Sequence, residues 1–316
     1  MAISKKTWTG IARETTPGTA VVTPTMYIPT KTVLKGGKKR EYLNEERGNR
    51  DMNYGVVDSI RQTAMEMKGP WYNDVGGYMI LAAMGSVTDA QPNVGTAPTV
   101  WKHTFALADV PPAMTLHRSM DAVTYYAPYS VLEKLTWSFQ SEGKLLEVAA
   151  HWLGLYAVVN GTPPTPTYSS LLPFAGYAPT ITNSLGVSSD IIDMTIEFVQ
   201  KITLWYPANG SQDYVTAYFG EREVMVDFTA RFDNPNVYNL WRNNTNDSLL
   251  VDFLGNTIAS TYKQELNISI PVVTYDTIEH DTGKDNVMIK AKGKGLSNPA
   301  GLINVFVQNT VPNYNV

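Results

Sequence analysis

Residues 221–244 read EREVMVDFTARFDNPNVYNLWRNN. Val224, Val226, Phe228, Ala230 and Phe232 alternate with Glu223, Met225, Asp227, Thr229 and Arg231. A period of two predicts a strand with one dry face and one wet face. A short helix is expected directly after it, with Asn234 as cap, Pro235 at the first helical position, and Val237, Leu240 and Trp241 on its apolar side. A long strand kept polar on one side and ended by a helix acquires meaning if the arrangement recurs, so the rest of the chain is read for it.

The 316 residues suffice for one large domain or two ordinary ones. A hydrophobic share of 43% against 17% charged places the chain among globular proteins, not disordered ones. Abundant Thr, Asn, Val and Tyr, punctuated by 23 Gly and 19 Pro, favour β-structure. A formal charge of −4 and a pI near 5.6 exclude nucleic-acid binding through a broad basic surface. With no cysteine, disulfides, thiolate metal sites and Cys nucleophiles are excluded. The N-terminus lacks an apolar leader core, and the longest apolar run, YMILAAM, is too short to span a bilayer. Synthesis in the cytoplasm without membrane insertion is the expectation.

Residues 1–26 are Thr- and Pro-rich and read as an arm. Strands are expected at Tyr27–Leu34, Gln62–Lys68, Thr104–Leu107, Met114–Arg118 and Leu135–Gln140, with Leu146–Trp152 returning as a hairpin. The charged stretch from Lys35 to Asp58 reads as a long loop, either solvated or reaching toward a partner. A helix is expected over Asn73–Met84, capped by Asn73 or Asp74 and stopped by Gly85. Residues 160–190 read as a linker. Beyond it, strands are expected at Ile192–Tyr206, in the opening stretch, and at Leu249–Leu254, Glu265–Val273 and Val287–Lys294. The two halves share an order: long strand, loop, strand, short helix, then strands ending in a long pair. Asn73 and Asn234 lie 161 residues apart, and at that offset Met65 meets Val226 and Met67 meets Phe228. The expected organisation is therefore an N-terminal unit (1–159), a linker (160–190) and a second unit (191–316), all mainly β with a short helix in each unit.

Motifs of chemistry are sparse. The four histidines (His103, His117, His151, His280) are not at metal-ligand spacing and read as strand residues. There is no GxSxG, P-loop or GxGxxG. DTGKDN (281–286) resembles a calcium loop but has Gly283 at a ligand position, and reads as a turn. Glu45–Glu46 and Glu221–Glu223 could pair in a glycosidase, though nothing singles them out. KAKGKG (290–295) reads as a strand end whose lysines discourage edge pairing. No catalytic, cofactor-binding or metal-ligating residue is assigned, which favours assembly over catalysis.

One family resemblance fits these features. IARETTPGTAVVTPTMYIP (11–29), with Gly10, Glu14, Thr15, Gly18 and Thr19, resembles the opening of major tail tube proteins of long, non-contractile phage tails. GPWYNDVGGYMILAAMGS (69–86) and FGEREVMVDFTARF (219–232) resemble the family's strand-to-helix segments, and ELNISIPVV with VMIKAKGKGL resembles its closing strand pair. The resemblance implies tandem tail-tube β-sandwich units, with rings of three two-unit chains (pseudo-sixfold) or of six chains stacked into a tube in the virion. It further implies tape-measure and tail-tip or terminator partners, and DNA that passes through the lumen without specific binding.

In that setting Lys38, Lys39, Arg40, Glu45, Glu46, Arg47 and Arg50 are expected to form an inter-subunit loop. Glu197, Asp227, Thr229, Asn267 and Ser269 are expected to line the channel, where a polar or mildly acidic surface does not hold phosphate. The competing readings are a capsid decoration or baseplate component on the same sandwich, and a carbohydrate-binding or hydrolytic β-sandwich using the seven Trp and eighteen Tyr.

Overall fold

The computed structural model describes residues 6–48, 52–161, 164–183, 191–232, 235–282 and 286–315. The first half holds β1 (Trp8–Arg13), β2 (Met26–Ile28), β3 (Lys31–Leu43), β4 (Gly55–Pro70) and α1 (Gly76–Met84). β5 (Gly85–Ala90), β6 (Trp101–Leu107), β7 (Met114–Ser119), β8 (Thr124–Gln140), β9 (Glu147–Gly154) and β10 (Val158–Asn160) complete it. Then come β11 (Pro179–Asn183), β12 (Ile191–Trp205), β13 (Thr216–Arg231) and α2 (Asn236–Arg242). β14 (Asp247–Ala259), β15 (Tyr262–Asp281), β16 (Met288–Gly295) and β17 (Asn304–Asn309) close the chain. Every pairing between these strands is antiparallel.

Two long strands organise the molecule because each belongs to two sheets. The first part of β8 lies between β7 and β10, and its second part lies between β9 and β12. The first part of β15 lies between β14 and β17, and its second part pairs with β16. One sheet therefore runs β3–β4–β9–β8–β12–β13–β16–β15. Across the core lie two smaller sets, β2–β1–β7–β8–β10 and β11–β14–β15–β17–β6–β5. The dry faces of all of them contribute to one apolar cluster, including Met65, Trp137, Trp152, Phe198, Val226 and Ile268.

The same connectivity occurs twice. β1–β7–β8–β10 has the pairings of β11–β14–β15–β17, and β3–β4–β9–β8 has those of β12–β13–β16–β15. Irregularities match too. β3 is bulged at Lys38/Arg40 and β12 at Gln200/Ile202, while β8 is bulged at Leu132/Lys134 and β15 at Tyr275/Thr277. Met65 and Val226 face Leu34 and Ile196 on their neighbours.

Several elements differ from the sequence expectations. Part of the stretch read as an N-terminal arm, Trp8–Arg13, is β1, buried along its length, so it shows no alternation to reveal it. The charged stretch 35–58 is not a loop: β3 runs on to Leu43 and β4 begins at Gly55, forming a hairpin wet on both faces along its outer part. The 160–190 segment contains β11, which pairs with β14. KAKGKG belongs to β16, an interior strand between β13 and β15, not an edge.

Helix α1 has no side-chain cap at its N-terminus. The Asn73 amide instead donates to the Glu265 and Gln308 carbonyls at 3.1 and 2.8 Å, tying the strand-to-helix turn to β15 and β17. Its paired glycines are steric necessities. A Cβ at Gly76 would stand 2.2 Å from the Trp71 ring, and one at Gly77 would stand 2.2 Å from the Tyr314 ring. Gly85 ends the helix with φ 104°. Asn234, the expected cap of α2, lies outside the described residues.

Candidate assembly surfaces

The wet face of the eight-strand run carries interleaved charge. Lys35 meets Glu66 at 2.6 Å, Lys68 meets Glu147 at 3.4 Å, and Lys134 meets Glu197 at 2.5 Å. Lys294 pairs with Glu223, and Lys290 with Asp281 at 3.1 Å. Strand alternation produces this face: the neighbours of Val224, Val226 and Phe228 point away from the core, and β16 answers with lysines, Asp227 facing Lys292 and Thr229 facing Lys290. Opposite charges next to one another hold Glu66 below the usual carboxylate range and raise Lys294.

Glu197, Asp227 and Thr229 share this surface. Asn267 and Ser269 do not. They lie on the first part of β15, opposite Asp252 and Leu250 of β14, on the solvent side of the other sheet. The buried positions of β15 alternate through Leu266, Ile268 and Ile270, then shift across Pro271 and Val272 to Val273 and Tyr275, where the strand passes to the other sheet. There Asp252 and Glu265 form a half-buried carboxyl pair. Burial, then the neighbouring Asp252 charge, pushes Glu265 up to about 7, with Lys102 opposing. Sequence reading missed this pair because β14 and β15 supply one residue each.

The β3–β4 arm ties up its own charges. Arg40 and Lys38 reach Asp58 at 2.9 and 3.3 Å, Lys39 reaches Glu41 at 2.9 Å, and Arg47 reaches Glu45 at 2.5 Å. Glu46 is exposed, and Arg50 lies outside the described residues. Tyr42, Met52, Val56 and Val57 are exposed as well, an apolar content that the charge pattern had obscured.

The matching arm, between β12 and β13, behaves differently because it leans on the first half of the chain. Arg61 grips Asp213 through two bonds of 2.8 and 2.6 Å, Tyr206 donates to the Gln62 side chain at 2.9 Å, and the Tyr214 hydroxyl donates to the Tyr129 carbonyl. Tyr129 itself has φ 48° at the point where β8 passes between sheets. That bend is held by Glu14, whose buried carboxylate accepts from Tyr129 N at 2.8 Å, Thr115 Oγ1 at 2.6 Å and Gly18 N at 2.7 Å. Gly18 sits at φ 87°, and a Cβ on Gly10 would meet Pro24 at 2.6 Å, so three residues of the 10–19 motif have a mechanical reason.

The histidines all lie on strands. His103 is buried between Asp89 and Asn309, His117 bonds the Val21 carbonyl, His151 meets Glu133 at 2.6 Å, and His280 packs edge-on to Phe232 and tilted against Tyr238. Among the described residues no group of His, Asp and Glu could hold a metal ion, and no helix is long and apolar enough to cross a membrane.

No curated protein matches the chain. A family model described as phage tail tube protein matches residues 6–300, nearly the whole length, in agreement with a mainly antiparallel β molecule. The chain belongs to the phage tail tube protein family.

Proposed function

We propose that this protein polymerises into stacked rings that form the tube of a phage tail and conduct the genome into the host. The observation that carries the reading is the eight-strand run itself. It contains one four-strand set twice, joined at β8–β12, and among the described residues β3 and the second part of β15 have no partner on their outer sides. A sheet that ends in two open edges invites further pairing unless a neighbour covers them, and closure into a ring removes both. Two units per chain favour three copies per ring, with the first unit in residues 1–159, the second in 191–316, and β11 contributed by the intervening segment.

The charged face is the surface we assign to the channel, through Glu197, Asp227, Thr229 and their ion-paired neighbours. Lysines that already hold carboxylates release few counterions to a passing phosphate backbone, so DNA meets a polar wall without a binding site. The β3–β4 arm, with Lys38, Lys39, Arg40, Glu45, Glu46, Arg47 and Arg50, would reach the adjoining subunit or ring. Exposed ion pairs contribute roughly 0–1 kcal/mol each. The exposed Tyr42, Met52, Val56 and Val57 should therefore supply most of the adhesion. A tape-measure protein and tail-tip or terminator proteins are the expected partners for length and ends.

Electron microscopy of concentrated protein, alone and with tail-tip complex, tests this. Hollow tubes with three chains per ring are expected; persistent monomers under both conditions reject the reading.

A further inference from the structure

The junction between the two units within one chain is a template for the junction the chain lacks. On the β8–β12 seam Leu135 faces Phe198, Thr136 faces Glu197, Trp137 faces Ile196 and Ser138 faces Thr195. The matched bulges, together with the pairing of Leu135 to Ala150 and Ile278 to Ala291, place Leu135 in correspondence with Ile278. On the other side, the pairing of Ile196 to Val226 and of Leu34 to Met65 places Ile196 in correspondence with Leu34.

We propose that β3 of a second copy pairs antiparallel with Thr277–Asp281, with Lys35 opposite Glu279, Leu34 opposite His280 and Val33 opposite Asp281, and that edge charge selects this seam. The wet positions of β3 are Lys31, Val33 and Lys35, all exposed, and those of β15 are Glu279 and Asp281. In this register Glu279 stands directly across from Lys35, and Asp281 lies diagonally between Lys31 and Lys35. Opposite charges at facing and diagonal positions stabilise strand pairs, and like charges oppose them.

The internal seam has the reverse polarity: the cation, Lys134, is on β8 and the carboxylate, Glu197, is on β12, 2.5 Å apart. The two seams are consequently not interchangeable. Placing β15 on a foreign β12 would set Glu279 against Glu197, and placing β8 on a foreign β3 would set Lys134 beside Lys35. Each edge repels the wrong partner that its duplicated geometry would otherwise accept.

This inference rests on the ring reading above, and the test separates the two. Because the natural chain has no cysteine, Lys35→Cys with Glu279→Cys leaves two thiols per chain, and only a 35–279 link between copies closes a ring. Facing strand residues are close enough to form it. Under mild oxidation of assembled protein, covalently closed rings are expected, while Lys35→Cys with Thr277→Cys should cross-link at least about tenfold more slowly. In the charge series, Lys35→Glu and Glu279→Lys should each raise the concentration needed for assembly about tenfold, and the double reversal should recover it. Glu66→Gln, which removes only the in-chain partner of Lys35, should leave assembly within about twofold.

If wild-type protein forms tubes but the 35/279 double-cysteine variant stays reduced while the 35/277 variant links, or if the double reversal fails to recover assembly, the register is overturned and the tube reading stands. Wild-type protein that never forms rings removes both.

Discussion

The two arms of this molecule have one design and two fates. The β12–β13 arm is locked onto the first half of the chain through Arg61, Gln62 and Tyr129. The β3–β4 arm matches it in strand order and bulge position, but beyond Asp58, Arg61 and Gln62, which bond the β12–β13 arm, its outer part is exposed. Val56 is 49% exposed, whereas Ala217, its counterpart, is 7% exposed. The helices repeat the contrast: α1 is buried along its whole length beneath Tyr314 and Phe105, while Trp241 of α2 is 39% exposed. In the proposed ring, what the second unit's arm finds within its own chain the first unit's arm finds in another copy. The exposure difference thus measures what a neighbour has to supply.

The largest expected effect follows directly. Replacing residues 44–54 by a two-residue Asn-Gly turn keeps the register of β3 and β4 and touches nothing in the core. The chain should unfold at an unchanged urea concentration yet form no tubes. Tubes of normal length from this variant would show that the arm's outer turn, Met52 included, is not an assembly contact.

The helices allow a second comparison. Tyr314 packs at 5.0 Å on Tyr78 and 4.5 Å on His103, and its hydroxyl donates to the Asp74 carbonyl at 2.5 Å. Tyr314→Ala should cost about 3–5 kcal/mol in urea unfolding, the range for emptying a large buried ring site. Trp241→Ala should cost about 1 kcal/mol or less in the free subunit, even though its indole donates to the Asp276 carbonyl at 3.1 Å. Equal costs would mean that α2 is as well covered within one chain as α1.

The fold was legible wherever one side of a strand is wet. Val224 to Phe228, Leu135 to Phe139 and Leu146 to Trp152 alternate because water lies on one side of their sheet, and all of them are strands. β1 was not legible, because a strand buried on both sides has no period to read. β3 and β4 were truncated for the opposite reason: both faces of their outer part are wet, so charge concealed the pairing. The residues expected on the channel split at β15, where Pro271 and Val272 break the alternation as the strand passes from one sheet to the other; Asn267 lies before the break and Glu279 after it. Glu14 carried a sequence signal as part of a motif, but its task of holding the β8 bend from 115 residues away exists only in three dimensions.

A smaller effect tests the anchored arm. Asp213→Ala removes the two-bond grip of Arg61 on the β12–β13 loop, and about 0.5–1 kcal/mol should be lost from the free subunit, since the pair is only partly shielded. Arg47→Ala on the free arm should change urea unfolding by no measurable amount. A larger loss from Arg47 than from Asp213 would reverse the assignment of which arm is held.

The subtlest expectation sets the two halves against each other in pH. His117, in β7, is pushed down to about 4 by burial despite its bond to the Val21 carbonyl. Below the ordinary value of 6.5 the unfolded chain takes a proton that the folded chain refuses, so this group removes stability as pH falls from 6.5 toward 4. Glu265, in β15, is raised from 4.5 to about 7, first by burial and then by Asp252. The folded chain keeps a proton that the unfolded chain has lost, so its contribution is complete below 4.5 and is lost as pH rises through 7. The two slopes oppose each other between pH 4.5 and 6.5, and the wild-type profile there should be nearly flat. Glu265→Gln should leave the His117 slope alone, with stability climbing as pH rises, and His117→Asn should leave a decline. If the Glu265→Gln profile stays parallel to wild type in urea unfolding at successive pH values, the carboxyl pair does not hold its proton and the flatness has another origin.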